Sequence, residues 1–143
     1  MSKRKLGRKK DHRESMLANL ATSIILYENV KTTQPKAKEA IKIVERCINQ
    51  AKKNNLAVRR RLLATLPDKK AVKKIFEELI VRYKDRISGY AKIYKLGTRL
   101  GDGSKMVIIR LIPGPKQSNL EQSGQKTNKD KKDSKDENKS KQK

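Results

Sequence analysis

"RLGDGSK", residues 99–105, is the stretch on which the fold turns. Two readings compete for it. A phosphate-cradling loop of the Walker type needs G-x-x-x-x-G-K-[ST], set between a strand and a helix whose first N–H groups face the phosphates. Here the order is Gly-Ser-Lys, and the next residues, "MVIIRLI" (106–112), form an almost unbroken apolar run typical of a covered strand. On the other side, "GYAKIYKL" (89–96) also reads as a strand. Glycines between two such runs supply the positive φ that a hairpin connection needs, so Gly97, Gly101 and Gly103 point to a hairpin. Lys95, Arg99 and Lys105 can still present charge from it.

Upstream of the hairpin the hydrophobic period is helical. Asp11, with Glu14 three positions on, forms a capping-box pattern that predicts a helix carrying Leu17, Leu20, Ala21 and Ile24 on one face, with Ser15, Asn19 and Thr22 as a small polar stripe on another. "VKTT" (30–33) is β-branched and predicts a short strand. Thr33 can cap a second helix with Pro35 in its first turn and Ala37, Ala40, Ile41, Val44, Ile48 and Ala51 at helical spacing. Cys47 lies beside that stripe as buried filler. Asn54-Asn55 ends the helix in a left-handed turn. A third helix, 56–65, stops before Pro67, and Asp68 caps a fourth with Val72, Ile75, Phe76, Leu79 and Ile80 on its apolar face. The sum is an α+β domain, about four helices packed on a small mixed sheet, spanning residues 1–115.

The ends differ from this body. Residues 1–10 read as an extended cationic arm around Gly7. Beyond "PGPK" the only large apolar residue is Leu120, so nothing offsets the entropy of ordering, and 116–143 is expected to be a disordered Lys-rich tail. The chain of 143 residues carries a formal charge of +23; the tail's nine lysines and five acids leave +19 on residues 1–115. Such an excess calls for a polyanion, nucleic acid before a membrane surface. "MLANLATSIIL" (16–26) behind a basic start loosely mimics a secretory leader, but Asn19, Thr22 and Ser23 interrupt it and Asp11 and Glu14 precede it. No apolar stretch approaches the ~18–20 residues that span a bilayer.

Residue types exclude most chemistry. One histidine, His12, and one cysteine give no metal-ligand cluster, no supported triad and no internal disulfide. His12 sits among cations, where contact with phosphate or a base competes with a local role at the helix start. Glu77-Glu78 are neighbours on a helix and point in different directions, which makes them a solvated face rather than an acid–base pair. No enzyme, cofactor or metal is expected.

The basic groups recur on several elements: Lys3, Arg4, Lys5, Arg8, Lys9, Lys10 and Arg13 in and after the arm, then Lys31, Lys36 and Lys38, then Arg59, Arg60 and Arg61, then Arg82, Lys84 and Arg86, and finally Lys92, Lys95 and Arg99. Guanidinium forks match phosphate oxygens. Tyr83, Tyr90 and Tyr94 near Arg86 offer stacking faces of the kind RNA recognition uses, with core packing as the competing role.

Read in order, "LGR" (6–8), "HR" (12–13), "ML.NLATS" (16–23), "TT" (32–33), Phe76-Glu77-Glu78, "RYKDR" (82–86), Gly89-Tyr90, "KLG" (95–97), Arg99, Gly101-Asp102 and the strand from Met106 resemble the bacterial ribosomal large-subunit protein L-seventeen family. The resemblance runs from near residue 3 to about 112. It departs from the family's pattern at Ser88, where glycine is usual, and in the stretch beyond Pro115. It implies a structural constituent of the cytoplasmic ribosome, bound to large-subunit rRNA near the nascent-peptide exit region. The implied partners are neighbouring ribosomal proteins, the L-thirty-two type among them, with no membrane and no independent homo-oligomer. It also implies rRNA contact at Arg4, Arg8, His12, Arg13, Arg59, Arg60, Arg86, Tyr90 and Arg99. A free DNA- or RNA-binding factor is the alternative, and a groove-reading helix would mark it.

Overall fold

A computed structural model describes residues 4–114; Lys3 and the tail expected at 116–143 lie outside that range. Helix α1 (Lys10–Tyr27) buries Leu17, Ala21 and Ile24 of the face its spacing predicted, with Leu20 partly buried and Ile25 buried in addition. Its start differs from the capping-box expectation. Lys9 occupies the N-cap without a side-chain cap bond, and Asp11 falls inside the first turn. There an acid faces the positive end of the helix dipole instead of capping it. Of the polar stripe, Thr22 is buried, its hydroxyl donating to the Ala18 carbonyl at 2.9 Å. The helix stops at Glu28, which is left-handed at φ 57°.

Strand β1 (Asn29–Thr33) leads through Thr33 and Pro35 into α2 (Gln34–Ala51). Ala37, Ala40, Val44, Cys47, Ile48 and Ala51 are buried along one stripe. Thr33 holds the N-cap position, although its side chain makes no cap bond. Burial pushes the Cys47 thiol up to about 11, the behaviour of an inert filler. Asn54, at φ 44°, makes the left-handed turn. Asn55 then caps α3 (Leu56–Thr65) by accepting from the Val58 N–H at 2.8 Å. Asp68 caps α4 (Lys69–Lys74) by accepting from the Lys70 N–H at 2.7 Å. The fourth helix continues through a π-helical turn, Ile75–Leu79, into a last α turn, α5 (Ile80–Arg82).

Strands β2 (Ala91–Thr98) and β3 (Lys105–Leu111) complete a three-stranded sheet of order β1-β3-β2. Both pairings are antiparallel, from Asn29↔Arg110 to Thr33↔Met106 and from Ala91↔Leu111 to Thr98↔Lys105. The α+β architecture of helices on a small sheet is the expected one, but the sheet is antiparallel rather than mixed. A short loop joining β2 to β3 forces that direction on one pair, while nothing local to β1 dictates which way its distant partner runs. The near-continuous apolar strand is the central one. Its Val107, Ile109 and Leu111 face the core, and Met106, Ile108 and Arg110 alternate to the outside. Tyr83 and Tyr90 fill the core beside it, ring centroids 5.0 Å apart.

Candidate nucleic-acid interface

The connection between β2 and β3 is a closed, self-bonded loop. The Arg99 N–H donates to the Ser104 carbonyl at 2.9 Å and the Gly103 N–H to the Arg99 carbonyl at 3.0 Å. Gly101 (φ 99°) and Gly103 (φ 61°) supply the left-handed positions. Asp102 organises the interior. It accepts from the Arg99 guanidinium through both carboxylate oxygens, from the Ser104 hydroxyl at 2.8 Å and from the Ser104 N–H at 3.2 Å. These bonds, the Arg99 one first, hold the Asp102 carboxyl well below the usual carboxylate range. Lys105 opens a strand and not a helix, so the geometry of a Walker loop is missing. Asp102 engages two of the five guanidinium N–H groups of Arg99 and leaves three for a ligand.

The register of the sheet gathers cations that lie far apart in sequence. Residues paired across neighbouring strands share a face. Lys31 stands opposite Ile108, Arg110 stands between Asn29 and Lys92, and Tyr94 stands opposite Ile108. Lys31, Lys92 and Arg110 are therefore grouped with half-exposed Tyr94 on the outer face of the sheet, the Arg110 guanidinium 5.8 Å from the Tyr94 ring centre. No acidic residue occurs in any of the three strands. Arg110 was missed by sequence reasoning because it sits in an apolar run; only its alternation with Ile109 and Leu111 signals an outward position. Lys95, on β2 just before the bulge between Lys95 and Gly97, is exposed as well.

The arm differs from the extended segment expected. Leu6 (φ 57°) and Gly7 (φ 64°) turn the chain, the Arg8 N–H reaches the Lys5 carbonyl at 3.3 Å, and Leu6 packs against the core. Arg4, Lys5, Lys9, Lys10 and His12 are exposed, while Arg8 and Arg13 are half-buried. The Arg8 guanidinium donates to the Leu6 carbonyl at 3.1 Å, and its Nε is buried without a protein partner. On α2, Lys38 is exposed and Lys36 half-buried. A second stripe there, Lys42, Arg46, Asn49 and Lys53, lines an open groove with Glu45 and Gln50. Its spacing of four, three and four residues is readable in the sequence once the polar side of α2 is examined beside the apolar one.

Arg59, Arg60 and Arg61 are exposed on α3, which packs on α2 and α4, and Arg59 lies 4.7 Å from the centre of the Phe76 ring. Lys84 and Arg86 are exposed, Arg86 donating to the Gly89 carbonyl at 3.0 Å. Two predicted contact residues have other roles. Tyr90 is fully buried, with its hydroxyl within hydrogen-bond distance of the Asn49 side-chain oxygen and the carbonyls of Arg86 and Ile87. No face of its ring is open to a base. Arg82 is only 16% exposed and donates to Glu28 at 2.7 Å, where Lys74 also binds at 2.8 Å. It holds α5 to the end of α1. Glu77 and Glu78 are exposed, Glu77 facing Lys73 at 3.8 Å, as a solvated pair should be. Among the described residues there is no group of acids, histidines and cysteines that could hold a metal, and no helix long and apolar enough to cross a membrane.

The family model described as ribosomal protein L17 matches residues 16–112, from α1 to the end of the sheet. The chain belongs to that family. It is similar to the large ribosomal subunit protein bL17 of Caldanaerobacter subterraneus, with 46% identity over 112 residues, 78% of this chain and all of that relative. Against the same-named protein of Rickettsia bellii the identity is 47% over 109 residues, 76% of this chain and 77% of the relative. Against that of Chlorobium limicola it is 43% over 109 residues, 76% and 72% of the two chains. Members of the L17 family are structural proteins of the large ribosomal subunit and not enzymes, which places this chain in the bacterial cytoplasmic ribosome. The resemblance carried by "NLATS" and "RYKDR" is thereby confirmed as membership.

Proposed function

We propose that this ribosomal protein binds and stabilises large-subunit rRNA near the nascent-peptide exit region, beside a neighbour of the L-thirty-two type. The carrying observation is the cationic outer sheet face, Lys31, Lys92 and Arg110 around Tyr94 with no acid in the strands. The exposed arm cations, Arg59–Arg61, Lys84, Arg86, Lys95 and the remaining N–H groups of Arg99 extend it. Such a distribution suits a structured polyanion whose backbone passes over several elements, because the cations of the sheet face have no acid within their strands to compete with phosphate. Arg82 and Tyr90 support the body that presents these groups.

The test is binding to large-subunit rRNA as salt is raised. With six to ten phosphates engaged, affinity should fall by about 10³–10⁵ between roughly 50 and 200 mM. A nearly flat response would sink the proposal. Crosslinking in purified large subunits, mapped to residues, should find the arm and the outer sheet face against rRNA, and the exit region and the L-thirty-two type protein close by. Crosslinks confined to other faces would place the interface elsewhere.

A further inference from the structure

Only two polar residues are buried among the described ones, Thr22 and Glu39. Thr22 satisfies itself on its own helix. Glu39 also reaches beyond its helix: its side chain, 8% exposed on α2, accepts from Lys42 Nζ on the same helix at 3.0 Å and sets Oε1 3.8 Å from Arg4 Nε in the arm. Arg4 belongs to the arm, whose next residues fold back at Leu6 and Gly7 and anchor Leu6 on the core. A carboxylate sunk under the most basic segment of a cationic protein opposes polyanion binding by plain Coulomb repulsion, and its burial carries a desolvation cost. Its position makes sense if the cations it holds matter more than the charge it cancels.

We propose that Glu39 is a positioning residue for RNA binding, which keeps the arm docked before RNA arrives. Through Arg4 it fixes the arm against α2, so that Lys5, Lys9 and the Arg8 guanidinium meet a phosphate backbone already placed. The ordering cost of the arm is then met within the protein's own fold and not at the moment of association. The inference rests on the RNA-binding reading above. It differs in sign from the electrostatic expectation, under which removing an acid from this surface tightens RNA binding.

The experiment uses the full chain with Glu39→Gln, Arg4→Gln and both together. Trypsin cleavage after Lys5 and Arg8, measured without RNA, should accelerate in each single variant. Affinity for large-subunit rRNA at fixed salt should fall about three- to tenfold in Glu39→Gln, the range set by ordering one or two side chains. In the Arg4→Gln background the Glu39 change should have no further effect, because the two act through one contact. Arg4→Gln leaves α2 and the Glu39–Lys42 pair intact, so its cleavage result stands even if Glu39→Gln unfolds the body. Unchanged arm cleavage in both single variants, or RNA binding that tightens in Glu39→Gln, overturns the proposal. If the wild type fails to bind rRNA, the RNA reading falls, while the cleavage rates still decide whether Glu39 docks the arm.

Discussion

Glu28 concentrates several energetic terms in one residue. A non-glycine side chain in the left-handed region costs about 1–2 kcal/mol, yet here that turn aims the carboxylate at two cations, Lys74 at 2.8 Å and Arg82 at 2.7 Å. Burial alone would raise the Glu28 pKa, but hydrogen bonds from Arg82 and Lys74 outweigh it and hold the carboxyl below its ordinary value. A group whose folded pKa is depressed contributes stability above its unfolded pKa and loses it as pH falls through the folded one. Glu28→Gln should therefore lower unfolding free energy by about 1–3 kcal/mol near neutrality, and its stability should decline less steeply than the wild type's below about pH 4. Parallel acid titrations of the two proteins would refute this assignment. Tyr90→Phe should cost about 1–2 kcal/mol in denaturant melts, the loss of a buried hydroxyl's bonds, with little change in RNA affinity beyond what stability explains. Loss of RNA binding in a well-folded Tyr90→Phe protein would place the Tyr90 hydroxyl at the interface. Residue type alone left Tyr90 and Arg82 ambiguous in the sequence. The first was resolved by a ring partner at position 83 and the second by an acid 54 positions away, and neither partner is marked by local spacing.

At the scale of elements, what the sequence revealed depended on how local each signal was. The third helix was expected at 56–65 and spans Leu56–Thr65, since its limits come from Asn55 in front and Pro67 behind. The hairpin was legible for the same reason, its glycines being contained in "RLGDGSK". The widened turn at Ile75–Leu79 was not, because the apolar spacing of Val72, Ile75 and Leu79 suits an ordinary helix equally well. Nor was the outer sheet face, which exists only through a register linking residues 31, 92 and 110. That face yields a quantitative expectation. Replacing Lys31, Lys92 and Arg110 together by glutamine should reduce the slope of log affinity against log salt by about 2–3, nearly one per phosphate contact removed. Replacing Arg82 should leave the slope unchanged while lowering stability. An unaltered slope in the triple variant would move the interface off the sheet.

For the molecule as a whole, the +19 on residues 1–115 was the plainest functional signal, and family membership accounts for it. Residues 116–143 add little to that charge, and the family match ends at residue 112. Removing them should leave incorporation into large subunits largely intact in sedimentation profiles. A clear assembly defect would assign that segment a role of its own. The strand order has another consequence, which concerns the chain's own synthesis. The middle strand, β3, is the last element of the body to be made, and β1 waits for it across some seventy residues. A nascent chain can coil its helices early, but it has no sheet until Leu111 has emerged. Until then β1 and β2 have no neighbour to pair with, and closure of the core is a single late event. A component of the translation machinery thus closes its own sheet only once the last of its three strands has been made.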